Sequence, residues 1–177
     1  MTELLVDRIA SAIGTMLLVS DGESLCALDY VGYEHRMMKL LHARYGQVRL
    51  RKATDPLGFN GRIRAYLAGD LGCINSIPVN TGGTAFQQQV WSALRAIPPG
   101  TVLSYGELAV RLGKPAAYRA VGMTNALNPI AIVVPCHRLV GANGALTGYA
   151  GGLERKRWLL EHEGIDPKKL ARARSYR

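Results

Sequence analysis

The chain of 177 residues fits one domain or two small ones, and with 48% hydrophobic and 20% charged residues it buries a core and is not disordered. No apolar run approaches the roughly 18 residues that span a bilayer, and Met1-Thr2-Glu3-Leu4 puts an acid where a signal peptide carries a base. Cys26, Cys73 and Cys136 are an odd, widely spaced set without a C-x-x-C pair; this disfavours a disulfide framework and a four-cysteine zinc site, and the expected compartment is reducing and cytoplasmic.

The first half reads as strands mixed with helices. Residues 14–20 and 25–31 are apolar runs of strand length separated by Asp21-Gly22, which predicts a hairpin. Met37, Met38, Leu40 and Leu41 among bases predict an amphipathic helix over 34–44. Val48-Arg49-Leu50-Arg51 alternates like a short strand, and Ile63 and Leu67 suit a helix over 59–68. Cys26 and Cys73 lie in apolar surroundings, where an inert buried thiol is the default.

Pro78 and Thr81-Gly82-Gly83 break the chain, which places a domain boundary near residue 82. Thr84 can cap the next helix with Gln87 completing a capping box, and Phe86, Val90, Leu94 and Ile97 share a face until Pro98-Pro99-Gly100. Ser104 and Glu107 repeat the capping pattern before a short helix that Gly113-Lys114-Pro115 ends. A second helix runs from about Ala116 to Leu127. Two short helices about a tight Gly-containing turn have the shape of a helix-turn-helix.

Charge sharpens that reading. Residues 1–100 hold 10 Lys+Arg and 8 Asp+Glu, a net of +2, whereas residues 101–177 hold 12 and 5, a net of +7. A basic half suits a polyanion, with nucleic acid first and an anionic membrane second; a soluble protein of high pI is the plainer alternative. The second helix carries Ala116, Ala117, Ala120, Gly122 and Ala126, and Arg119, Gly122, Met123 and Ala126 share a face. Small residues beside an arginine favour close approach to nucleic acid; tight helix packing is the alternative.

Ile130-Ala131-Ile132-Val133-Val134 reads as a buried strand ending at Pro135-Cys136-His137-Arg138. A cysteine where a core strand turns is well placed as a nucleophile, provided something favours its thiolate. On a regular strand His137 points away from Cys136; in a turn, or through one water, it can reach it. On the following helix Leu153, Lys156, Leu160 and Glu163 share a face, so Glu163 either points inward to orient His137 or ends the helix in solvent.

Taken together, these blocks resemble the 6-O-alkylguanine-DNA alkyltransferases. The resemblance runs from about Gly82 to Gly164 through Thr84-x-Phe86-Gln87-x-x-Val90-Trp91, Ser104-Tyr105-Gly106-x-Leu108-Ala109, Arg119-Ala120-Val121-Gly122, Asn128-Pro129, Pro135-Cys136-His137-Arg138, Thr147-Gly148-Tyr149-x-Gly151-Gly152 and Trp158-Leu159-Leu160-x-His162-Glu163-Gly164. It implies an α/β N-terminal domain (1–81, a small sheet with helices), a mostly α C-terminal alkyltransferase domain with a DNA-binding helix-turn-helix (82–165), and a basic tail (166–177). It implies that Cys136 takes the alkyl group of 6-O-alkylguanine or 4-O-alkylthymine in one irreversible step. His137 would act as base through water, Glu163 would hold His137, Tyr105 would donate to the flipped base, and Asn128 would tie the recognition helix to the active-site turn. Arg119, Ala120, Gly122, Met123, Ser104 and Tyr118 would face the DNA minor groove, Arg119 filling the gap left by the flipped nucleotide. Tyr149, Ala150, Leu139 and Lys156 would line the base pocket. No cofactor or metal is implied; the partner is duplex DNA rather than a membrane, met as a monomer that can cooperate along DNA.

Two departures stand out: Tyr118 precedes Arg119 where a small residue is expected, and Ala150 replaces a serine found in some relatives. Lys168, Lys169, Arg172, Arg174 and Arg177 in the tail read equally as a frayed end or as a phosphate-contacting arm. The competing functions are a damage-recognition protein without transfer, against which Cys136 argues, and a cysteine hydrolase, which would not need an arginine-bearing helix pair.

Overall fold

The computed structural model describes residues 1–175, with side chains as far as Arg172. Contacts group the chain into two units, Met1–Gly83 with Pro129–Val133, and Thr84–Asn128 with Val134 onward.

In the first unit β1 (Thr2–Ile9), β2 (Met16–Ser20), β3 (Leu25–Tyr30) and β4 (Val48–Lys52) form a sheet of order β3-β2-β1-β4. The hairpin between β2 and β3 turns at Asp21, whose carboxylate accepts from the Glu23 and Ser24 amides at 3.0 and 2.8 Å, while Gly22 takes φ +98°, a conformation glycine adopts without Cβ strain. β1 pairs antiparallel with β2 and parallel with β4, a connection that needs the crossover helix α1 (Glu34–Tyr45). Met37 and Leu41 of α1 close a core with Leu4, Leu17, Val19 and Cys26. Helix α2 (Phe59–Leu67) is tied to β1 where Asn60 Nδ2 donates to Asp7 at 2.7 Å.

The sequence assigns no element to residues 2–9, yet β1 is a central strand of this sheet. Glu3, Asp7 and Arg8 interrupt its apolar pattern, and the strand is defined by backbone ladders on both sides. The buried run at 130–134 corrects a second expectation. All five residues are buried, but only Ile130 bridges, to Leu28. The chain then turns: Val133 N–H donates to Ala131 O at 2.8 Å around Ile132 at φ +70°, a strained γ-turn geometry for a β-branched residue. Burial and strand pairing are separate properties, and hydropathy reports only the first. Cys26 is fully buried, and burial pushes its thiol up. Cys73 is only half-buried, its thiol against the carbonyls of Arg62 and Asp70.

The second unit is helical. Both capping boxes form: Thr84 with Gln87 opens α3 (Ala85–Arg95), and Ser104 with Glu107 opens α4 (Tyr105–Arg111). After a 3-10 turn at Pro115–Ala117, α5 spans Tyr118–Ala126, so the second helix begins two residues later than its composition suggests. Trp91 of α3 donates from Nε1 to Thr124 O at 3.1 Å, pinning α5. A short parallel pair, β5 (Leu103–Ser104) with β6 (Leu139–Val140), joins the start of α4 to the chain after Cys136. Helix α6 (Leu153–His162) and helix α7 (Pro167–Ser175) complete the unit.

Within α6 the inward residues are Lys156, Leu159 and Leu160, followed by Glu163. Leu153, expected on that face, is 47% exposed, at the first position of the helix. In the tail, Lys168, Lys169 and Arg172 are exposed on α7; Arg177 and the side chain of Arg174 lie outside the described residues. Among the described residues no helix is long and apolar enough to cross a membrane.

Candidate active site

Cys136 sits in a turn, not at a strand end. Pro135 adopts φ −81° and ψ 67°, the inverse γ-turn geometry, and Cys136 N–H donates to Val134 O at 2.8 Å. The 3-10 turn Cys136–Arg138 follows, so the strand rule that would separate Cys136 from His137 does not apply. Two asparagines hold this turn to α5. Asn128 Nδ2 donates to Val134 O at 2.7 Å, and Asn125 Nδ2 donates to Cys136 O at 3.3 Å. Asn125 lies in the last turn of α5 and Asn128 just beyond its end; the spacing of three between two asparagines is the one sequence signal that could have marked Asn125.

Behind the cysteine lies a buried ionic cluster. His137 Nε2 is 2.8 Å from Glu163 Oε1. Arg138 donates from Nη2 to the same oxygen at 2.7 Å and from Nε to Oε2 at 3.0 Å, and its Nη1 reaches Ile97 O at 2.5 Å. All three side chains are buried. Burial pushes the Glu163 carboxyl up, but hydrogen bonds from His137 and Arg138 outweigh it and hold the group well below its ordinary value. Burial pulls His137 down, against the upward pull of Glu163, so the imidazole is neutral at pH 7. An ionised Glu163 accepts, which puts the proton of His137 on Nε2. Its Nδ1 is buried without a hydrogen-bond partner and carries the free lone pair. Arg138, not His137, is therefore the charge partner of Glu163. No helical or strand period marks Arg138 as inward.

Tyr105 and Lys156 converge on one carbonyl. Tyr105 OH donates to Thr147 O at 3.0 Å, and Lys156 Nζ donates to the same oxygen at 2.6 Å and to Gly148 O at 3.5 Å. Lys156 is fully buried, and burial lowers its ammonium to about 8, a pull that a charged Cys136 opposes. Burial raises the Tyr105 phenol. Leu139 is buried in β6, while Tyr149 and Ala150 are half-buried just before α6. The loop carbonyl that links Tyr105 to Lys156 has no side-chain signal in the sequence.

Of the residues expected at DNA, Arg119, Ala120, Met123 and Tyr118 are exposed, Met123 by 69%. The Arg119 guanidinium lies 5.8 Å from the Tyr118 ring centre. Val110 and Leu127 add exposed apolar surface. Gly122 is half-buried, and a Cβ there would stand 3.7 Å from the Tyr105 ring, so it backs the pocket rather than the exposed face. Ser104 is buried, its hydroxyl accepting from Glu107 N–H at 3.0 Å; its place is the helix cap. Among the described residues no group of three or more His, Cys, Asp or Glu side chains could hold a metal ion.

Comparison with known proteins places the chain among its relatives. Residues 85–165 match the family described as the DNA-binding domain of 6-O-methylguanine DNA methyltransferase. A methylated-DNA–protein-cysteine methyltransferase of Shigella flexneri is 49% identical over 168 residues, covering 93% of this chain and 98% of that protein. The protein of the same name from Mycobacterium bovis is 45% identical over 158 residues, covering 88% and 89%. Among solved structures, Mycobacterium tuberculosis OGT in complex with DNA is similar with a TM-score of 0.76 and 38% identity, over 95% of this chain and 98% of that one. The chain belongs to the family of methylated-DNA–protein-cysteine methyltransferases.

Proposed function

We propose that this protein repairs DNA directly, by taking the alkyl group of 6-O-alkylguanine, and of 4-O-alkylthymine, onto Cys136. The observation that carries the proposal is the orientation of His137: Nε2 engaged by Glu163, Nδ1 free, in the turn that holds Cys136. That arrangement suits an imidazole that takes the thiol proton, through water, as the nucleophile forms. The sulfur's electron pair then forms the S–C bond. The C–O bond breaks, its pair stays on the base, and guanine leaves as an anion that is reprotonated. The Tyr105 phenol, donating to the departing base, stabilises that anion.

A lesion inside the stack is out of reach of a buried sulfur, so the nucleotide flips out. The α4–turn–α5 pair acts as a helix-turn-helix laid in the minor groove. Its exposed small and apolar face permits close approach, and Arg119 fills the vacated place. Tyr149, Ala150 and Leu139 bound the base. In this reading residues 82–165 are the reacting domain. The C–S bond of the product is stable, so each molecule acts once.

Repair stoichiometry tests the proposal. With excess duplex carrying 6-O-methylguanine, repair is expected to stop at one lesion per protein molecule; continued turnover would overturn the single-use mechanism. Arg119→Ala is expected to slow repair of the duplex about tenfold more than reaction with free 6-O-methylguanine, since only the duplex bears a flipping cost of a few kcal/mol. Equal slowing of both would remove the flipping role.

A further inference from the structure

Lys156 is an expensive residue in this position. Its side chain is fully buried in α6, and its ammonium donates to two backbone carbonyls, Thr147 O at 2.6 Å and Gly148 O at 3.5 Å, with no carboxylate paired to it among the described residues. A buried cation compensated only by carbonyls costs stability unless the arrangement serves another end. The shared carbonyl indicates that end. Tyr105 has one hydroxyl hydrogen, and it is committed to Thr147 O at 3.0 Å. If the phenol donates to the flipped base, as the proposed function requires, it must first let that carbonyl go.

We propose that Lys156 is the positioning residue for this exchange: it holds the Thr147–Gly148 turn in place while the Tyr105 phenol moves from the Thr147 carbonyl to the base. With Lys156 present, the carbonyl keeps a strong charge-assisted donor throughout. Without it, Tyr105 is the carbonyl's remaining anchor in the turn, and the phenol is withheld from the base. Gly148 adds a geometric reason for keeping the turn fixed. It has φ +53°, and a Cβ there would lie 3.4 Å from Tyr105 Oη, so the phenol moves in a narrow space that the turn itself bounds. A thiolate at Cys136 favours the charged form of Lys156, so the anchor is strongest when the nucleophile is ready.

This inference rests on the reading that Tyr105 donates to the flipped base, and a double-mutant cycle separates the two. Methyl transfer from lesion-bearing duplex is measured at saturation, with duplex affinity measured in parallel, for the unaltered protein, Lys156→Met, Tyr105→Phe and the double variant. Lys156→Met is expected to lower the saturating rate about tenfold, with affinity unchanged. In the Tyr105→Phe background, which has no phenol to withhold, the same substitution is expected to cost less than about twofold. Equal factors in both backgrounds would reduce Lys156 to a structural residue and overturn the inference, while leaving the functional reading intact. Failure of the unaltered protein to transfer methyl at all would instead overturn the functional reading. Should Lys156→Met not fold, the Lys156 ammonium signal is followed by nuclear magnetic resonance in Cys136→Ala protein. It is expected to stay protected when lesion-bearing duplex binds; its loss on binding would show that Lys156 lets the turn go, and would overturn the inference.

Discussion

Cys136→Ala is expected to abolish methyl transfer completely while leaving affinity for lesion-bearing duplex within about twofold of the unaltered protein. The side chain is small and 5% exposed, and the turn that holds it is fixed by backbone and asparagine contacts that survive the change: Cys136 N–H to Val134 O, Asn125 to Cys136 O and Asn128 to Val134 O. The other two thiols do not substitute. Burial pushes both Cys26 and Cys73 up, away from the thiolate that reacts. The exposed face of α5 does not depend on the sulfur. Joint loss of transfer and DNA binding would show that Cys136 holds the fold and would remove it as the acceptor; transfer persisting in the variant would do so directly.

Glu163→Ala should be the most destabilising single change in the second unit. It leaves the Arg138 guanidinium buried with Ile97 O as its remaining partner in the cluster, and it strips His137 of the group that fixes its proton on Nε2. Orphaning one side of a buried ion pair costs about 3–5 kcal/mol, a large part of a stability of roughly 5–15 kcal/mol. The melting temperature should fall by about 6–20 °C for a chain of this size, and transfer should be lost along with His137 orientation. Glu163→Ala combined with Arg138→Met removes both charges and is expected to recover part of the stability but not the transfer. A Glu163→Ala protein within about 1 kcal/mol of the original would mean that the cluster is not closed in solution.

The same cluster sets the acid limit. Glu163 is lowered in the folded state, so its contribution is complete above its unfolded pKa of about 4.3 and is lost as pH falls through that value toward the folded one. His137 is also lowered: below about 6.5 the unfolded chain takes up a proton that the folded chain resists. Both act in one direction, so stability should decline from about pH 6.5 downward, and Glu163→Ala should lose only the part of the decline that begins near about pH 4.3.

What the sequence discloses here is local. The two capping boxes, the Asp21-Gly22 hairpin and the apolar face of α3 follow from side chains a few residues apart, and the structure forms each of them. His137 and Glu163 could be singled out because their types suit the chemistry of a nearby cysteine, whereas Asn128 is marked only by the family resemblance. What escaped depends on the backbone or on distant partners. β1 is specified by ladders to β2, 7 to 15 residues away, and to β4, 46 residues away. The turn at Ile132 and the Pro135 γ-turn are choices of backbone torsion that hydropathy does not encode. Arg138 looks like another surface base until Ile97 and Glu163, 41 and 25 residues away, fold over it. The Thr147 carbonyl is invisible to any pattern of side chains.

Whether Cys136 accepts the alkyl group is tested by the intact mass of the protein after incubation with a duplex carrying one 6-O-methylguanine, followed by peptide mapping. The expected result is a gain of one methyl group per molecule, confined to the peptide containing Cys136, with the duplex restored to guanine. A folded protein with reduced thiols that binds the duplex and gains no mass, or gains the methyl on any other residue, would contradict it.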